Sequence, residues 1–116
     1  MGGGPLVPRT LPEPSVESFD LTVILSALAD PGRRAILKAM YQAGGPIDCA
    51  TLVEKAGLSN PAFSHHCRVL REAGLTRTVA EGRRRVVRVR LGDVEGRFPG
   101  LLGAVLGAAE RGSSAG

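Results

Sequence analysis

Apolar positions recur at helical spacing through most of this chain and switch to strict alternation in one stretch. Leu21, Ile24, Leu25 and Leu28 fall at i, i+3, i+4 and i+7, which predicts a first helix from about Val16 or Phe19 to Ala29. Asp30-Pro31 restarts the chain: Asp suits a helix cap, and Pro suits a first turn whose N–H has no partner. A second helix is predicted over Gly32 to Ala43, burying Ile36, Leu37 and Met40, with Gly44-Gly45-Pro46 ending it. Ile47 reads as a one- or two-residue strand. Asp48 caps a short third helix, Cys49 to Ala56, with Leu52 and Val53 inward and Gly57 in a left-handed cap position. Ser59 or Asn60 caps a fourth helix that stops at Gly74.

The fourth helix has two unlike faces. Phe63, Cys67 and Leu70 lie on one apolar stripe; Asn60, Pro61, Ser64, His65 and Arg68 lie on the other side. That outer face carries hydroxyl, amide, imidazole and guanidinium groups suited to base edges and phosphates. Alternation then takes over. Thr76 to Ala80 and Arg85 to Leu91 read as strands joined by the turn Glu81-Gly82-Arg83-Arg84. Val87, Val89 and Leu91 share one face, Arg88 and Arg90 the other. Asp93 is placed as the cap of a final helical region, interrupted or restarted at Pro99-Gly100 and running to about Ala109. Its stripe is Leu101, Leu102, Val105, Leu106 and Ala109.

The expected architecture is mainly α with a small β-hairpin wing, in the order helix, helix, short strand, helix, helix, wing, helix. The third and fourth helices form a helix-turn-helix. Residues 1–15, with three consecutive Gly and four Pro, read as a flexible arm, mobile or draped on the domain. Residues 16–110 form one winged-helix DNA-binding and dimerisation domain, and 111–116 a flexible tail.

Composition narrows the function. With three Phe, one Tyr and no Trp, the core is aliphatic, and binding of single strands by base stacking is disfavoured. The net charge of +4 is segregated: residues 59–91 hold eight arginines (68, 71, 77, 83, 84, 85, 88 and 90) against Glu72 and Glu81. Such a patch points to a polyanion, here double-stranded DNA, with Arg83, Arg84 and Arg85 gripping the backbone. Two cysteines are too few for a disulfide framework, and no apolar run approaches a membrane span, so a cytoplasmic location without membrane contact is expected. Ser64-His65 is too local for a catalytic triad, and no acid–base, metal or phosphate-loop constellation is present, so an enzyme is not expected and no cofactor is assigned. His65 is expected to face DNA, and His66 to be a hydrogen-bonded structural histidine.

Leu28-Ala29-Asp30-Pro31-Gly32-Arg33-Arg34-Ala35-Ile36-Leu37 resembles the opening motif of the ArsR-type winged-helix repressors. Ser64-His65-His66-Cys67-Arg68-Val69-Leu70-Arg71-Glu72-Ala73-Gly74-Leu75 resembles their recognition helix, followed by the Glu81-Gly82-Arg83 wing turn. The resemblance covers residues 20 to 110. It implies a homodimer paired through the first and last helices, reading an inverted-repeat operator, and an inducer or metal that changes DNA affinity. The expected seam is Leu21, Ile24, Leu25, Leu28, Leu101, Leu102, Val105 and Leu106. The family's Cys-x-Cys metal positions fall here on Asp48 and Ala50, and no His follows His66, so no metal site is assigned. Two rivals stand beside this reading: a redox- or metal-responsive repressor using Cys49 and Cys67, and a winged-helix protein-interaction module that does not bind DNA. The inducing signal, small molecule or redox, stays open.

Overall fold

The computed structural model describes residues 7–107. Residues 1–6 of the expected arm, Ala109 and the expected tail at 111–116 lie outside the described residues. Along the chain come β1 (Arg9–Thr10), a 3₁₀ turn at Val16–Ser18, α1 (Leu21–Leu28), α2 (Pro31–Ala43), β2 (Ile47–Asp48), α3 (Cys49–Ala56) and α4 (Asn60–Glu72). Then follow β3 (Thr76–Glu81), β4 (Arg84–Val89) and α5 (Leu91–Arg97), and residues 101–107 are helical again. This is a mainly helical winged helix-turn-helix with an antiparallel hairpin wing.

Local chemistry sets most boundaries. Asp20 accepts from the Thr22 N–H (2.8 Å), so α1 starts later than Val16 or Phe19. Asp30 accepts from the Arg33 N–H (2.9 Å), with Pro31 in the first turn. Asp48 caps α3 through the Ala50 N–H (3.0 Å), and Ser59 caps α4 through the Ala62 N–H (3.3 Å). The corner between α1 and α2 is tied by the second helix: Arg33 Nε donates to the Ala27 carbonyl and Arg34 Nη1 to the Leu28 carbonyl, both at 2.7 Å. These arginines satisfy helix-end carbonyls that lack partners within α1.

The end of α4 is a Schellman motif. The Leu75 N–H bonds the Leu70 carbonyl and the Gly74 N–H bonds the Arg71 carbonyl, both at 3.0 Å, with Gly74 at φ 92°. Leu70 and Leu75, the residues this motif brings together, are both fully buried. Gly74 is constrained twice, because a Cβ there would stand 2.5 Å from Phe19 Cε1.

The four strands are antiparallel in the order β1-β3-β4-β2. β3 and β4 pair from Thr76↔Val89 to Glu81↔Arg84, leaving a two-residue turn with Gly82 at φ 61°, the glycine placement of a II′ hairpin. The sheet has a strand more than a simple wing, because the expected flexible arm is ordered over residues 7–15. Arg9 and Thr10 pair with Ala80 and Val79, and Leu11 is buried. Glu13 anchors the segment: its carboxylate accepts from Arg77 Nε (2.9 Å) and Nη2 (2.7 Å) and lies 3.3 Å from Arg90 Nη1.

One core joins all layers: Ile24 and Leu28 of α1, Ile36, Leu37 and Met40 of α2, Leu52, Phe63, Leu70, Val87, Val94, and Leu102 and Leu106 of the last helical segment. Ile24, Leu28, Leu102 and Leu106 were expected at a seam between subunits. They are instead at most 4% exposed within a single subunit. A small domain needs the inner edge of both stripes for its own core. Two further expectations shift at the wing's end. β4 stops at Val89, so Leu91 opens α5 and is exposed, and Asp93 sits in the first turn without capping it. Asp93 accepts instead from Arg90 Nε at 3.0 Å.

Candidate nucleic-acid interface

α4 is held by its inner face and presents its outer one. Phe63 and Leu70 are buried, and Cys67 is half-buried. Asn60, Pro61, Ser64, His65 and Arg68 are all exposed. Arg68 Nη2 lies 3.5 Å from His65 Nδ1, so these side chains share one turn of the surface. The structure therefore brings together all five residues read from the sequence on this helix. His66 differs from its expectation: it is half-buried against α2, beside Gly32, and its Nδ1 is buried without a hydrogen-bond partner among the described residues. The packing position was legible; the expected hydrogen bond is not made.

The three arginines at the wing are all exposed but not equivalent. Arg83 is in the turn itself. Strand alternation puts Arg84 on the face opposite Arg85 and Val87. Arg84 Nε is bound to Asp48 Oδ2 at 2.8 Å, which ties the wing to the cap of α3. The Ala50 N–H and that guanidinium together hold the Asp48 carboxyl below its ordinary range. Arg85 stands on the strand face shared with Val87, beside Cys49 and Thr78, and stays exposed while lining an open cleft between α4 and the wing.

Not every arginine of the basic segment belongs to this surface. Arg90 is 3% exposed and bound to Asp93, Glu13 and the Pro14 carbonyl. Arg77 is engaged by Glu13, whose carboxyl is held low chiefly by the Arg77 hydrogen bonds. Two of the eight positive charges thus fasten the N-terminal segment. The sequence signal for this was faint: Glu13 lies between two prolines that favour extended chain. Arg71, read from the sequence only as part of the basic patch, lines the cleft between α4 and the wing. On the helix it falls between Asn60 and Ser64, at the edge where the outer face meets the Phe63–Cys67 stripe.

The cysteines are free and half-buried, and both line the cleft. Burial pushes the Cys67 thiol up to about 12, and burial with the neighbouring Asp48 charge raises Cys49. Neither has the lowered thiol of a reactive cysteine. Among the described residues, no three His, Cys, Asp or Glu gather as a metal site. At the family's metal positions Asp48 is engaged with Ala50 and Arg84, and Ala50 has no ligating atom, so this donor set does not fit a thiolate-bound metal. No helix among the described residues is long and apolar enough to cross a membrane.

Residues 28–79 match a helix-turn-helix domain family. The chain is 35% identical over 79 residues to YceK of Bacillus subtilis, an uncharacterized HTH-type transcriptional regulator, covering 68% of this chain and 79% of that one. It superposes on the crystal structure of an ArsR family transcriptional regulator with a TM-score of 0.60 and 27% identity, covering 83% of this chain and 97% of that one. NolR from Sinorhizobium fredii matches with a TM-score of 0.54 and 26% identity, covering 68% and 84%. The protein belongs to the ArsR-type winged helix-turn-helix transcriptional regulators. It is a transcriptional regulator with a helix-turn-helix DNA-binding domain, and its family is not a class of enzymes.

Proposed function

We propose that the protein is a cytoplasmic repressor that binds an inverted-repeat operator as a homodimer. α4 enters the major groove, with Asn60, Pro61, Ser64, His65 and Arg68 toward base edges and adjacent phosphates. Arg83 and Arg85 contact the backbone from the wing, and Arg84 joins them only where its ion pair with Asp48 is broken. The observation that carries this reading is the polarity of α4: its inner face is locked in the core while all five outer residues are exposed. The repressor role comes from the resemblance to ArsR-type repressors.

The dimer rests on the seam residues that the subunit core leaves available. Leu21 and Leu25 are 43% and 47% exposed on α1, and Leu101 and Val105 are half-buried. An apolar face of this kind is the material of an isologous two-fold contact. Such a pair would present its α4 helices one helical turn of DNA apart, about 34–36 Å. Footprinting of a selected operator tests the whole reading. A two-fold protected site with two half-sites is expected; protection of a single half-site by an isolated subunit would refute it.

A further inference from the structure

α4 does not close fully against the wing. A cleft of about 300 Å³ opens between α3, α4 and β4, at the low end of small-molecule sites, about 300–1,000 Å³. Its wall is mostly apolar, with Val53, Phe63, Cys67 and Val87. Two guanidiniums, Arg71 from α4 and Arg85 from β4, also line it, and no carboxylate does among the described residues. Arg71 Nε is shielded from solvent and has no hydrogen-bond partner among those residues. A buried guanidinium N–H without an acceptor is costly and rare, and an anionic ligand would complete it. With both thiols held protonated by burial, the cysteines add apolar wall and no competing negative charge.

We propose that this cleft binds a small apolar carboxylate, its tail against Val53, Phe63 and Val87 and its charge on Arg71 and Arg85, and that the bound anion weakens DNA binding. The second half rests on the DNA-facing reading above. Asn60 and Ser64 line the same cleft, and Arg85 is a proposed phosphate contact. A carboxylate seated here neutralises Arg85 and sets a like charge beside the DNA backbone. The cleft thus lies where one small ligand touches both parts of the DNA-binding surface.

The test uses the full chain with hexanoate and benzoate as probes, and with hexanol, benzyl alcohol and inorganic phosphate as controls. Amide NMR without DNA reports binding directly. A carboxylate is expected to shift the amides of Cys67, Thr78 and Val87 saturably, while the controls leave them unmoved. Arg71→Gln should weaken that response about tenfold or more, the loss of a charge-assisted bond. Val53→Phe should abolish it by filling the cleft; if that variant fails to fold, Arg71→Gln decides alone. No carboxylate response at these amides, an equal response to the alcohols or phosphate, or an undiminished response in Arg71→Gln would overturn the site. DNA titrations with and without the active carboxylate test regulation. Wild type that binds DNA with unchanged affinity when the cleft is saturated would overturn the coupling. Absence of DNA binding without any carboxylate would instead refute the DNA-facing reading.

Discussion

Glu13 and Arg77, 64 positions apart in the chain, form a two-pronged ion pair with contacts of 2.9 and 2.7 Å. The pair fastens the N-terminal segment to β3 at the base of the wing. Arg90, almost wholly buried, shares the same carboxylate. Glu13→Gln should therefore destabilise the fold by about 1–3 kcal/mol, since it takes the two-pronged carboxylate from Arg77 and leaves Arg90 with Asp93 as its acidic partner. The Glu13 carboxyl is held below its ordinary value of 4.5, so its contribution is fully present above that pH. It is lost as pH falls through the depressed folded value. Thermal unfolding across the acid range checks both: wild type should lose stability on acidification more steeply than Glu13→Gln.

Gly74 and Gly57 separate two kinds of glycine requirement. Both have positive φ, but only at Gly74 does a Cβ collide, with the Phe19 ring. Gly57→Ala should cost about 1–2 kcal/mol from the backbone alone. Gly74→Ala should add an overpacking cost of about 1–3 kcal/mol. Chemical denaturation midpoints would decide, and equal losses would show that Phe19 moves aside freely.

Asp48 restrains Arg84 while capping α3. Asp48→Asn keeps a side-chain cap and removes the charge. The freed guanidinium should then reach phosphate, strengthening binding to operator and unrelated DNA alike. The salt dependence should steepen by about 0.9 for that one contact. An unchanged slope would mean that Arg84 already leaves Asp48 in the wild-type complex, or that it never reaches the DNA.

The two expected seam stripes are now divided by burial. Leu25→Asp alters an exposed position and should leave a folded monomer in light scattering. Leu102→Asp would bury a charge at a fully buried position and should unfold the subunit instead. A folded Leu25→Asp dimer would move the seam elsewhere.

What was legible in the sequence was mostly local. The caps at Asp30, Asp48 and Ser59, the stop at Gly74 and the outward face of α4 each follow from a few neighbouring residues. The contacts that were missed join distant positions. Arg77 and Arg90 look like wing charges until Glu13 arrives from the far end of the chain, and Arg84 until Asp48 does. The apolar stripes of α1 and of the last helical segment posed a different difficulty: an apolar helix face reads the same whether its own core or a second subunit covers it. Here Ile24, Leu28, Leu102 and Leu106 lie in the core. The cleft behind α4 depends on how closely a helix and a hairpin approach, which no local pattern encodes.

The most direct test of the central claim is a DNA titration at several salt concentrations, comparing a selected operator with a scrambled duplex, for wild type and Arg68→Ala. Wild type should bind the operator at least about 10³-fold more tightly than the scrambled duplex. Arg68→Ala should lose about 1–3 kcal/mol on the operator and relax preference at one base pair. Equal affinity of wild type for both duplexes, or an Arg68→Ala variant with undiminished preference, would contradict the assignment of α4 as the element that reads sequence.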